Sequence, residues 1–135
     1  MIELLFTASI IWITNKTPVP QCTFEPTEEH VCYVSENNTI YISKEIKGIS
    51  KYFVLYHEIG HSLYKENFPK EVFKGGIFGP DYETMANDFA WWMYAKKNKK
   101  EEKFVERVIS KEKRDYFSKT CQKKCVNQVL KILKK

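Results

Sequence analysis

The segment KYFVLYHEIGHSLYKEN, residues 51–67, decides how the rest of the chain is read. Gly48 breaks the chain before it, Ser50 is placed to cap it, Pro69 stops it, and Gly60 is its single Gly or Pro. These are the boundary signals of a helix. Within it, His57-Glu58-Ile59-Gly60-His61 spells His-Glu-x-x-His. Residues four apart lie one turn above each other on one helix face, so both imidazoles can reach a single ion. Glu58 points about 100° around the helix from His57. It can therefore take a proton from a metal-bound water without occupying a coordination position itself.

Two His fall short of the three protein ligands of a catalytic zinc site, which keeps its fourth place for water. The only other His, His30, lies in an acidic, turn-like stretch beside Glu28 and Glu29 and is expected to be exposed. Glu83 is the better third ligand. It follows a Gly-rich turn, residues 75–80, and stands near the start of a second helix capped by Asp81 and running through Phe89, Trp91, Trp92 and Met93. The face that carries Glu83 also carries Ala86, Asn87 and Ala90. Small residues there let the second helix approach the first at Gly60, the closeness a short carboxylate bridge requires. Asn87, one turn from Glu83, can orient a ligating His through its other ring nitrogen, and Asp88 is a second candidate for that role. The aromatic residues of this helix read as core.

Upstream, residues 31–34 and 39–43 are β-branched and aromatic around Glu36-Asn37-Asn38, the pattern of a hairpin or of neighbouring strands. Residues 1–13 are apolar and read as a buried strand or short helix. Residues 16–26 carry Pro18, Pro20 and Pro26 and read as irregular chain. Downstream, the lysine run at residues 96–100 reads as a solvated connection. Two amphipathic helices follow, one marked by Phe104, Val105, Val108 and Ile109, the other by Phe117, Cys121, Cys125, Val129 and Leu133. The expected fold is α+β: a small antiparallel or mixed β-sheet packed on a metal-binding helix pair, with additional C-terminal helices. All 135 residues form one domain, with a core over about 31–95 and a helical extension over about 101–135.

Composition narrows the function. The net charge of +5 comes almost wholly from lysine, and Arg107 and Arg114 are the only arginines. Nucleic-acid readout and phosphate clamping favour Arg forks, so that partner is disfavoured. The apolar opening carries Glu3 where a secretory leader has Lys or Arg, and no stretch is long enough to span a bilayer. A cytoplasmic location is therefore expected. A lysine-rich membrane-surface tail is opposed by Glu101, Glu102, Glu106, Glu112 and Asp115. Cys22 and Cys32 can face each other across a hairpin. Cys121 and Cys125, four apart on an expected helix, share a face without pointing at each other, and no CxxC knuckle suggests a second metal site.

The pairing of HEIGH, residues 57–61, with ETMANDFA, residues 83–90, resembles the ImmA/IrrE metallopeptidases, and the likeness extends over roughly residues 31–93. It implies a gluzincin-type site with one zinc per chain, His57, His61 and Glu83 as ligands, and Glu58 as catalytic base. It also implies peptide-bond hydrolysis of a protein or peptide substrate, such as an intracellular regulatory or repressor protein. The chain departs from better-known members in lacking an appended sensor or DNA-binding domain, and in its cysteines and lysine-rich C-terminal helices. A non-enzymatic, zinc-containing regulator or interaction module is the alternative, and a basic nucleic-acid binder is the weaker one. Tyr56, Tyr64 and Tyr82 are all near enough in sequence to supply an oxyanion donor, and the turn at 75–80 is placed to form a rim of the substrate cleft.

Overall fold

A computed structural model describes residues 3–22, 30–74 and 81–133. The β-branched run Thr39–Ser43 forms the central strand of a three-stranded sheet. We label the strands β1 (Ser9–Ile13), β2 (Val31–Val34) and β3 (Thr39–Ser43). β1 pairs with β3 in parallel, Ile10 opposite Ile40, and β2 pairs with β3 antiparallel, Tyr33 opposite Ile40. The sheet is thus mixed. The β2–β3 connection is a single 3-10 turn, Ser35–Asn37, closed by Asn38 in the left-handed region at φ 49°. Asn tolerates that conformation because its short polar side chain finds local partners. Asn38 Oδ1 accepts from the Tyr33 hydroxyl at 2.9 Å and from Ser62 Oγ at 3.0 Å, which ties the hairpin to the first helix.

That helix, α1 (Ile49–Tyr64), begins before Ser50, from Gly48 at φ 69°, with no side-chain cap. Its apolar face, Leu55, Tyr56, Ile59 and Leu63, is buried together with Ile40 and Ile42 of the sheet. α2 (Tyr82–Lys97) starts as expected: Asp81 accepts from the Glu83 backbone N–H at 2.9 Å and from the Thr84 hydroxyl at 2.7 Å. A Cβ built on Gly60 would stand 3.3 Å from the Ala86 Cα and 3.3 Å from Phe89, so the two helices meet at the small residues that predict it. Phe89, Trp92 and Met93 are core.

The C-terminal part departs from expectation. Three helices replace two: α3 (Glu102–Val108), α4 (Lys111–Thr120) and α5 (Lys123–Ile132). The periodicity through Phe117, Cys121, Cys125 and Val129 suggests one helix, yet Cys121 leaves helical geometry and Gln122 restarts the chain as an extended cap. The break turns the two thiols toward each other, and Cys121 and Cys125 form a disulfide with their Cα atoms 5.1 Å apart. Cys22 and Cys32 form a second. The lysine run is only partly a connection, because Lys96 and Lys97 complete α2.

Two further expectations change. Residues 9–13 do form a strand, but as a sheet edge it leaves Ile11 and Trp12 exposed. His30 is buried, at the end of β2, with its carbonyl accepting the Ser43 N–H at 2.8 Å. No helix among the described residues is long and apolar enough to cross a membrane. The architecture is α+β: the mixed sheet packs on α1, α2 packs on α1, α3 and α4 pack on α2, and α5 also touches α2 and ends beside Trp12 of β1.

Candidate metal centre

One turn of α1 separates His57 and His61, and their rings meet edge-on with centroids 4.6 Å apart. Their Nε2 atoms are 3.0 Å from each other. Glu83, on the first turn of α2, reaches across: Oε2 lies 3.0 Å from His57 Nε2 and Oε1 2.9 Å from His61 Nε2. Among the described residues these three are the group of His, Cys, Asp and Glu whose donor atoms converge tightly enough to hold a metal ion. Ligands about 2.0–2.1 Å from a tetrahedral zinc are separated by roughly 3.3 Å. The observed spacings fall a few tenths of an ångström short of that edge, so the donor set fits the ion.

The tautomer fits as well. Asn87 Oδ1 stands 2.7 Å from His57 Nδ1, so Nδ1 carries the proton and Nε2 turns its lone pair toward Glu83 and His61. Burial drives the His61 pKa down, against the opposing pull of the Glu83 carboxylate, and keeps this imidazole neutral, the form that ligates. Asp88 does not join the cluster. One step around α2 from Asn87, its Oδ2 meets the Lys113 ammonium of α4 at 3.2 Å, and burial raises its carboxyl pKa against the effect of that lysine.

Glu58 is half-buried beside the same donors. Burial pushes its carboxyl pKa up to about 7, the nearby Glu83 charge adds to the rise, and a hydrogen bond from the Tyr33 backbone N–H opposes it. Glu58, His61 and Glu83 line a cleft of about 490 Å³ together with Tyr33, Lys65 and Tyr82. Of the three tyrosines considered as donors, Tyr56 and Tyr64 are fully buried, and Tyr64 bonds Thr120 at 2.7 Å. Tyr82 alone of the three lines the cleft. Its ring lies 4.6 Å from that of His61, and its hydroxyl donates to the His61 carbonyl at 2.7 Å.

Tyr33 is the site residue that sequence reasoning misses. Its contribution runs through its backbone, and the one available signal is that its strand belongs to the hairpin that precedes the motif helix. The turn at 75–80, expected as a rim of the cleft, lies outside the described residues. No protein-family model, curated protein or solved structure matches the chain.

Proposed function

We propose that the chain is a zinc-dependent metallopeptidase holding one Zn2+ through His57, His61 and Glu83, in keeping with its resemblance to the ImmA/IrrE peptidases. The observation that carries the reading is the convergence of two Nε2 atoms and a carboxylate within 3.0 Å of one another, on the wall of a cleft shared with Glu58. Zinc held there would supply Lewis acidity, enough to polarise a carbonyl and to bring the pKa of water toward about 7. Glu58 takes the proton of the attacking water and returns it to the leaving amine, so that water is added across the C–N bond. Asn87 holds the His57 ring in its ligating tautomer, and Tyr82 packs on His61.

The substrate is a protein or peptide bound in extended form. β2 is an edge strand, and the Ser43 N–H to His30 carbonyl bond sets the ladder so that Val31 and Tyr33 turn their backbone groups outward, the Tyr33 N–H to Glu58 and the Tyr33 carbonyl and both Val31 groups left for pairing. An extended segment can pair with such an edge. A cytoplasmic setting suits a regulatory protein as substrate, whereas the two disulfides are more usual in oxidising compartments.

Glu58→Gln separates an enzyme from a zinc-holding interaction module. The variant should keep its zinc and its thermal stability while losing cleavage of a mixed peptide library followed by mass spectrometry. Cleavage by the variant at the wild-type rate would remove Glu58 as the base. No cleavage by the zinc-loaded wild type would favour the module.

A further inference from the structure

We propose that the free edge of β1, at the opposite side of the sheet from the cleft, docks an extended segment of another protein that carries both acidic and apolar side chains on one face. The Ser9 N–H donates to the Asn38 carbonyl at 3.0 Å and the Ile13 carbonyl accepts from the Lys44 N–H at 2.8 Å, so Ser9, Ile11 and Ile13 serve the ladder with β3. In a parallel ladder the alternate residues, Ile10 and Trp12, then aim their N–H and C=O groups away from the sheet. Among the described residues nothing pairs with them. An open edge with apolar side chains is a template for strand addition.

The side chains beside that edge select the partner. Trp12, Ile132 and Leu133 form the apolar part of a groove of about 470 Å³, and Lys44 and Lys51 supply its charge. Lys51 Nζ sits 5.0 Å from the centroid of the Trp12 ring. Neither lysine forms an ion pair among the described residues, and although Glu45 feels the Lys44 charge, its carboxylate is turned to Ser43 Oγ at 2.5 Å. A second copy of the chain paired through β1 would bring like charges together. A strand whose groove-facing positions, every second residue, are acidic and apolar in turn places carboxylates at Lys44 and Lys51 and apolar side chains on Trp12 and Leu133, satisfying backbone, charge and burial at once.

The test titrates the full chain into a labelled heptapeptide, Glu-Thr-Val-Thr-Glu-Thr-Val, whose one face carries Glu and Val in turn, read by fluorescence anisotropy, with the peptide bearing Lys in place of Glu as control. Saturable binding of the acidic peptide alone is expected. Lys51→Glu should weaken it by about tenfold or more. Ile10→Pro, which removes an outward N–H at an edge position that tolerates proline, should abolish it. Circular dichroism of both variants establishes that they fold, and the exchange of peptide charge tests the proposal on the wild type alone. Absence of binding at low salt, equal binding of the two peptides, or indifference to both substitutions would overturn the proposal. So would sedimentation showing a wild-type dimer that Ile10→Pro dissociates, which would make a second copy the occupant.

Discussion

Asn87 Oδ1 lies 2.7 Å from Nδ1 of His57, 30 residues away in the sequence, and so sets which ring nitrogen of His57 is free to ligate. The contact places a residue of α2 behind a residue of α1, on the side away from the donor cluster. It is expected to govern metal affinity without touching the metal.

Asn87→Ala should lower zinc affinity roughly 10- to 100-fold, the usual cost of losing a hydrogen-bond partner behind a ligating His. Asn87 is exposed, so the thermal stability of the metal-free protein should change little. A competition titration with a chromogenic chelator reads the first quantity and thermal unfolding the second. Unchanged affinity would remove Asn87 from the site.

Gly60→Ala tests the helix contact. Alanine gains about 1 kcal/mol of helix propensity over glycine. Its Cβ would nevertheless stand 3.3 Å from the Ala86 backbone and from Phe89, and overpacking of this kind costs about 1–3 kcal/mol. The expected net result is a lower Tm together with weaker zinc binding, because Glu83 is carried by the helix that is pushed away. A variant more stable than wild type with undiminished zinc affinity would show that α2 accommodates the methyl group freely.

Asp88 predicts a pH dependence. Burial raises its carboxyl pKa in the folded chain above the unfolded value, with Lys113 opposing. A raised acid contributes stability at pH below its unfolded pKa, about 3.9, and that contribution is lost as pH rises through the folded pKa. The Tm of Asp88→Asn relative to wild type should therefore rise as the pH climbs from about 4 through the raised folded pKa. This trend holds whatever constant offset the lost Lys113 contact brings. A relative Tm that falls over the same range would mean that Lys113 outweighs burial.

What was legible in the sequence was what depends on helical spacing. The positions of His57, His61, Glu83 and Asn87, and the small residues Gly60 and Ala86 that let two helices meet, follow from residues three or four apart, and the structure brings them together. Spacing alone did not separate Asn87 from Asp88. One residue is about 100° of helix, which turns Asp88 toward α4, whose placement no local pattern gives. The break at Cys121 and Gln122 was hidden because apolar residues continue at intervals of four on both sides of it. The exposure of Trp12 was hidden because an apolar strand has the same composition at an edge as in the middle of a sheet. The Tyr33 contact with Glu58 was hidden because a backbone N–H carries no residue signature.

The most direct test of the central claim is the metal content of the purified chain, measured by elemental analysis for wild type, His61→Ala and Glu83→Ala. The account predicts one zinc per wild-type chain, and its loss or marked weakening in both variants with the fold retained. A wild-type chain that takes up no zinc when the metal is supplied, or variants that hold it as tightly as wild type, would contradict the account.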